Sequence, residues 1–116
     1  MARTALTVNT PPAPGSAPST ITEQAADPTN FNSFPLTGRE VVVVRNSGAS
    51  AYTVTVHSVA DPLGRQDTSI TAFSIAAGAV VLLPQFPMQG YVQSDGTLWI
   101  DGSNAALLFT VVRTEV

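Results

Sequence analysis

The stretch that decides the fold is residues 91–113, YVQSDGTLWIDGSNAALLFTVVR. Within it, Asp95-Gly96 supplies the positive backbone angle that a tight β-turn needs. Residues 91–93 and 97–100 on either side of this turn are expected to pair as a hairpin. Ala105 to Arg113 is apolar on both faces, which predicts a central final strand.

The same pattern of short apolar runs separated by turns is found in the preceding residues, 40–83. Residues 40–45 are a β-branched run, and residues 52–57 alternate apolar and polar side chains with the period of two that is typical of a strand. We expect these two segments to form a hairpin around residues 46–50. We also expect residues 70–75 to pair with residues 79–83.

These segments amount to about seven to eight strands, and nothing in the chain reads as a helix. The pattern predicts an all-β fold with a single β-sandwich or jelly-roll-like domain over residues 36–116. A length of 116 residues fits one domain of the commonest size.

The N-terminal third differs in composition, because it is rich in proline. This composition predicts an extended Pro-rich arm over residues 1–35. Residues 9–20, NTPPAPGSAPST, favour extended polyproline-like conformations. Ala5 to Val8 is expected to pair as one short strand. Such a terminus is mobile unless something holds it. We expect a neighbouring subunit to hold the arm, and packing on its own domain is the alternative.

The composition favours a role within an assembly. Charged residues make up only 11% of the chain, against roughly 25% in an average soluble domain. Surfaces poor in Lys and Glu are typical of the buried centres of protein–protein contacts; a Ser/Thr-rich surface without a partner is the alternative. The net charge of −3 and the scattered arginines argue against a nucleic-acid partner, because phosphate contacts need clustered Lys or Arg.

Targeting and redox signals are missing from the sequence. The chain has no cysteine, so neither a disulfide nor a thiolate site is expected. The N-terminus has no apolar stretch long enough for a secretory signal. No segment approaches the roughly 18 apolar residues of a membrane span, so we expect no membrane partner.

No motif predicts catalysis or a cofactor. The single histidine, His57, alternates with outward-facing threonines, and no serine lies in a G-x-S-x-G turn. Turn formation explains the four aspartates beside or near a glycine or proline, which are Asp61, Asp67, Asp95 and Asp101. Asp95 and Asp101 are the best candidates for a Ca²⁺ site, but no D-x-D-x-D-G loop is present, so we predict no metal.

Five segments of the strand-rich region carry a resemblance to a known family. In chain order they are Asn46-x-Gly48, Thr53-Val54-Thr55-Val56, Ile75-Ala76-Ala77-Gly78-Ala79, Leu83-Pro84-x-Phe86-Pro87 and Tyr91-x-Gln93-Ser94-Asp95-Gly96-Thr97-x-Trp99-Ile100-Asp101. Their order and spacing resemble a family of small tailed-bacteriophage proteins that look like head decoration, or capsid cement, proteins. The resemblance extends over almost the whole chain, and the loop from Asp61 to Asp67 departs from it.

The resemblance implies a structural virion protein, not an enzyme, that binds the outside of an expanded icosahedral capsid. Such proteins are made in the host bacterial cytoplasm and bridge neighbouring capsomers of the major capsid protein, often as homotrimers. The arm would then supply the capsid or inter-subunit contacts, with Arg3 facing a carboxylate and apolar anchors at Leu6, Val8, Ile21, Phe31 and Phe34. Deleting residues 1–20 would weaken attachment and leave the β-domain folded.

Two other functions are open at this point. A carbohydrate- or receptor-binding module of a phage tail would need Trp99 and Tyr91 exposed in a shared groove, because aromatic faces stack on sugar rings. A core or interface position for Trp99 is the competing expectation. A head–tail connector component is the third possibility, and it predicts a ring with few copies per particle.

Overall fold

The computed structural model describes residues 3–59, 70–88 and 90–113, with Ile70 described by its backbone alone. These residues form ten β-strands and no helix, which confirms the all-β prediction. The strands are β1 Thr4–Ala5, β2 Val8–Asn9, β3 Gln24–Ala25, β4 Asn32–Pro35, β5 Glu40–Asn46, β6 Tyr52–Val56, β7 Ile70–Ile75, β8 Val80–Leu82, β9 Thr97–Gly102 and β10 Leu107–Arg113. The described part therefore holds no helix that could span a membrane.

The strands form two mixed sheets of five strands each. The first sheet has the order β1-β4-β9-β6-β7, and the second has the order β2-β10-β5-β8, with β3 also paired to β10. Two pairs are parallel, β1 with β4 and β2 with β10. The ladder between β10 and β5 runs the full length of both strands, so the final strand is central, as its apolar faces predict.

One hydrophobic core lies between the two sheets. Val44 of β5 and Phe109 of β10 enter it from the second sheet, and Val54 of β6 and Ile100 of β9 enter it from the first. Along these strands buried residues alternate with more exposed ones, as the period of two requires. The arrangement is therefore sandwich-like, with the inner face of each sheet packed on the other.

The two hairpins predicted between residues 40 and 83 are wrong. β5 and β6 lie in different sheets, and so do β7 and β8. The turns after Asn46 and Ile75 therefore carry the chain across the core, and β6 pairs with β7 instead. The reason is that Val44 and Val54 face the same core, which they reach from opposite sheets.

The tight turn before β9 is confirmed. Gly96 has a φ of +82° and its N–H donates to the carbonyl of Gln93 at 2.9 Å, while the N–H of Gln93 donates to the carbonyl of Thr97 at 2.8 Å. The hairpin partner predicted at residues 91–93 is not a strand. β9 pairs with β4 and β6 instead, so its neighbours come from distant parts of the chain.

The N-terminal third differs most from the prediction, because much of it belongs to the sheets. β1 and β4 join the first sheet and β2 and β3 join the second, so the described residues before Leu36 show no arm that projects from the domain. Residues 5–8, predicted as one strand, are divided between β1 and β2 by Leu6, whose side chain lies in the core. The part without strands is residues 10–23, a long exposed loop between β2 and β3.

Candidate interaction surfaces

The six residues predicted to make contacts lie in different environments. Leu6 and Phe34 are 4% and 1% exposed in the core, and Val8 packs against that core from β2. These three side chains therefore stabilise their own chain, where the sequence had predicted contacts to a neighbour. Ile21 is 57% exposed in the loop, which leaves it available to a partner.

Arg3, with Phe31 beside it, is the centre of a cluster on the outer face of the first sheet. Its guanidinium lies 4.8 Å from the ring centre of Trp99 and 5.5 Å from that of Phe31, within the range of cation–π attraction. It also forms an ion pair with Asp101, and its Nε donates to the carbonyl of Asn32 at 3.0 Å. These contacts fasten the start of the chain to β4 and β9.

His57 lies on the other side of the same carboxylate. Its Nε2 is 2.7 Å from Oδ2 of Asp101, and its ring meets Trp99 edge-on with the ring centres 6.3 Å apart. Burial, and then the charge of Arg3, hold the pKa of His57 below its usual value. Because the oxygens of an ionised carboxylate only accept hydrogen bonds, Nε2 is the donor in this contact. Asp101 thus contacts both Arg3 of the N-terminal segment and His57, which directly follows β6.

Trp99 and Tyr91, the candidates for a sugar platform, pack in different places. Trp99 is partly buried, and the guanidinium of Arg3 covers its ring. Tyr91 packs against Phe86 at the margin of the core, with the ring centres 4.8 Å apart. A sugar ring would have to displace Arg3 to stack on the same face of Trp99, so the two aromatics form no shared platform in the described structure.

The described aspartates serve turns and ion pairs. Asp95 accepts from the hydroxyl of Thr97 at 2.6 Å and from its N–H at 3.1 Å, and these bonds lower the pKa of Asp95. Asp101 belongs to the cluster above, so both candidate Ca²⁺ ligands have protein partners. Within the described ranges no group of three or more His, Cys, Asp or Glu side chains could hold a metal. Asp61 and Asp67 lie outside those ranges.

The loop of residues 10–23 forms an apolar groove against the edge of the second sheet. The groove has a volume of about 390 Å³. Pro11, Pro18 and Ile21 of the loop line it together with Val112 of β10. Every residue of the loop is exposed, and none before Glu23 is charged. The loop therefore presents an uncharged, concave apolar surface.

Asn9 ties the two ends of this loop together. Its side-chain amide accepts from the N–H of Thr22 at 3.2 Å, and donates to the carbonyls of Thr22 and Val111 at 3.3 and 3.0 Å. β2 and β3, which flank the loop, both pair with β10. The Pro-rich segment is thus a loop with fixed ends, in contrast to a free terminus.

The opposite side of the molecule carries a surface that the sequence analysis missed. β7 and β8, consecutive in the chain, are the last strands of the two sheets, and neither pairs with a further described strand. We call these two strands the open side. Phe73, Val80 and Leu82 on them are 47%, 62% and 66% exposed. The signal for this surface in the sequence is a lack of charge, because no Asp, Glu, Lys, Arg or His occurs from Thr68 to Ser94.

Comparison with known proteins found no relative. No protein-family model, curated protein or solved structure matches this chain. The resemblance to capsid decoration proteins therefore stays a prediction from sequence motifs, and the function is argued from the surfaces described above.

Proposed function

We propose that the chain is a structural protein of a tailed-phage particle, a jelly-roll-like domain that binds the outside of the capsid and cements neighbouring capsomers. Its partner is the major capsid protein. The observation that carries this proposal is the exposed, uncharged loop of residues 10–23 with its apolar groove, fixed at both ends on a β-domain. Such a surface suits contact with another protein.

The physical chemistry of the loop supports docking on a protein surface. The loop turns at residues 13–16, where the N–H of Ser16 donates to the carbonyl of Ala13 at 3.0 Å. Prolines have no N–H, so pairing with an exposed strand of a partner would use the carbonyls of the loop and the N–H groups of its other residues. Because Asn9 and the flanking strands hold its ends, less conformational entropy is lost on binding than for a free arm. Ile21 and the prolines supply the apolar contact area.

Stabilisation of the shell follows from linkage. A protein that binds the expanded arrangement of capsomers, and not the dissociated ones, stabilises that arrangement in proportion to how many sites it fills. A loop that reaches across a capsomer boundary would give each copy two attachments. A homo-oligomer, as the resemblance implies, would present several loops to neighbouring capsomers.

The structure changes how this proposal has to be tested. Deleting residues 1–20 would remove Leu6 from the core along with β1 and β2, so lost attachment could reflect lost folding. A substitution confined to the exposed loop avoids this difficulty. Ile21→Lys places a charge in the groove at a position whose side chain is already largely in solvent, with an expected stability change within about 0.5 kcal/mol.

The experiment is cosedimentation of the purified protein with expanded capsid shells that lack it, measured as bound copies per shell over a concentration series. We expect saturation at hundreds of copies, and binding weakened at least tenfold (about 1.4 kcal/mol) by Ile21→Lys. Met88→Lys is the matched control, because it adds the same charge at an apolar residue that is 47% exposed and lies outside both the loop and the open side.

Three outcomes would contradict the proposal. Absence of binding would favour the receptor-binding alternative, and saturation at about a dozen copies would favour a connector ring. Full binding by Ile21→Lys would show that the groove is not the contact. Glycan binding would have to involve displacement of Arg3 from Trp99, since that ring face is covered.

A further inference from the structure

The free edge of β8 has backbone groups that point away from its own sheet. β8 is bonded to β5 on one side, where the N–H of Asn46 donates to the carbonyl of Ala79 and the N–H of Leu83 donates to the carbonyl of Val42, both at 3.0 Å. Alternation along an antiparallel ladder then directs the N–H and C=O of both Val80 and Leu82 outward. No described strand pairs with β8 on that side.

This edge has little of the usual protection against pairing. Exposed edge strands are normally blunted by charged side chains, prolines, bulges or very short length, and of these β8 has only its length of three residues. Val80 and Leu82 are both more than 60% exposed, and the nearest charged residue on either side in the chain lies outside residues 68–94. Pro84 follows the strand but leaves both outward residues free to pair. The edge is therefore open, apolar and uncharged.

The edge of β8 suits a second copy of this chain as the occupant, because its outward backbone groups are self-complementary and it has no charge to repel a like copy. Each copy carries a net charge of −3, so two copies repel each other over most of their surface and least where both are uncharged. An uncharged apolar edge is also complementary to itself, which a two-fold interface requires. Arg45, the nearest cation across the ladder from Val80, is already paired with Glu23 at 2.9 Å.

The register of such a pair follows from the ladder. A two-fold axis through Val81 places Val80 opposite Leu82 of the second copy, and the reverse. Both of these pairs have outward backbone groups, so four main-chain hydrogen bonds form. The side chains of Val80 and Leu82 from both copies then lie on one face of the joined sheet. Val81, which alternates with these two residues, packs against the core of its own copy.

We propose that two copies of this chain pair through β8 across a two-fold axis, which joins their second sheets into one continuous sheet. The dimer leaves the loop of residues 10–23 free, because β2 and β3 lie at the other edge of the same sheet. The inference does not depend on capsid binding. It adds a second surface to the one proposed for the shell.

The test is sedimentation equilibrium over a wide concentration range, with hydrogen exchange on the same samples. We expect a concentration-dependent dimer, and we expect Val80→Lys with Leu82→Lys to weaken it at least about tenfold. Ile21→Lys, an equally exposed apolar residue at the opposite edge, should leave the dimer unchanged. The amides of Val80 and Leu82 should exchange more slowly as dimer forms, which apolar contact without strand pairing would not produce.

Several results would overturn this proposal. They are a monomer at every concentration, a trimer, a dimer that tolerates the lysine substitutions, or amide exchange at Val80 and Leu82 that does not depend on concentration. If the lysine variant fails to fold, Val80→Thr with Leu82→Thr repeats the test with β-branched side chains that suit a strand. Shell binding by a strictly monomeric protein would refute the dimer and leave the proposed function standing. Loss of shell binding by Ile21→Lys with an intact dimer is the result that the proposed function and the proposed dimer both predict.

Discussion

The two sides of the molecule differ in the side chains and contacts found at the last strands of the sheets. On one side, which we call the covered side, the N-terminal segment supplies β1, β2 and β3 as the last strands and fastens them with polar contacts, including the ion pair of Arg3 with Asp101. On the open side, β7 and β8 end the sheets without charge and with large apolar side chains in solvent.

This difference separates contacts that hold the fold together from contacts available to partners. A sheet edge has unpaired backbone groups that must be covered by the chain itself, by water or by another chain. On the covered side the N-terminal segment adds β1, β2 and β3 to the sheets and buries Leu6 and Ala26 in the core, so the last strands there are held by side-chain packing as well as by strand pairing. Substitutions there should change folding stability, whereas substitutions on the open side should change association.

Leu6→Ala should have the largest effect on folding. Leu6 is 4% exposed between β1 and β2, and truncation of such a side chain leaves a cavity that costs about 2–5 kcal/mol. Urea unfolding measures the loss, and exposed Thr7→Ala should stay within about 0.5 kcal/mol of the parent. A neutral Leu6→Ala would mean that the N-terminal segment does not cover the core in solution.

Arg3→Ala should destabilise the protein by about 1–3 kcal/mol, because it removes a charged hydrogen bond and leaves Asp101 partly buried with His57 as partner. Arg45→Ala is the matched control. The side chains of Arg45 and its partner Glu23 are 42% and 39% exposed, and ion pairs on the surface contribute little. Equal effects of the two substitutions would contradict the view that Arg3 fastens the covered side.

Gly102→Ala should destabilise by about 1–3 kcal/mol through overpacking. A Cβ at Gly102 would lie 2.7 Å from Cβ of Ala26 and 3.1 Å from the ring of Phe109. The nearer clash is with the N-terminal segment, so Ala26→Gly in the same chain should recover part of the loss. Thermal unfolding of the single and double variants measures this, and no recovery would place the strain at Phe109.

Asp27→Asn should change how the free energy of unfolding depends on pH in acid. Hydrogen bonds, first from the backbone of Asn30 and then from the side chain of Thr4, lower the pKa of Asp27 from 3.8 to about 2. The folded state therefore favours the carboxylate, so this contribution is present above pH 3.8 and is lost as the pH falls towards about 2. Unfolding free energies across that window should fall less steeply in the variant, and an unchanged slope would contradict the assignment.

Val80→Thr and Leu82→Thr should have the smallest effect on folding. Both side chains are mostly in solvent, and both backbones keep their place beside β5, so each change should stay within about 0.5 kcal/mol at concentrations where the protein is monomeric. Unfolding at several protein concentrations measures this. A large loss of folding stability at low protein concentration would mean that the side chains of Val80 and Leu82 pack in the folded core.

Much of the fold could be predicted because its signals are local. The alternation in β6, the β-branched run of β5 and the Asp95-Gly96 turn each depend on neighbouring residues, and all three are found. Alternation shows which residues face a core but not which sheet carries the strand. For that reason the predicted hairpins failed, and β5 and β6 lie in opposite sheets.

The candidate surfaces were predicted only in part. Ile21 and the Pro-rich loop are exposed as their composition suggests. Arg3 was expected to meet a carboxylate, and it meets one of its own chain, Asp101. The burial of Leu6 had no local signal, since a single leucine between Ala5 and Thr7 is also common on surfaces. The open side had a signal in its missing charges, which becomes meaningful once β7 and β8 are known to be edges.

The sequence by itself determined the class of the fold, the positions of the long strands, the uncharged Pro-rich loop and the charge-free stretch of residues 68–94. The tertiary structure decided which strands share a sheet, which edges are covered and which aromatic is shielded. The physical reason is separation along the chain. Arg3 and Asp101 are 98 residues apart, and β2 pairs with a strand at the far end of the protein. Such contacts arise from packing two sheets on one core, and no local pattern encodes them.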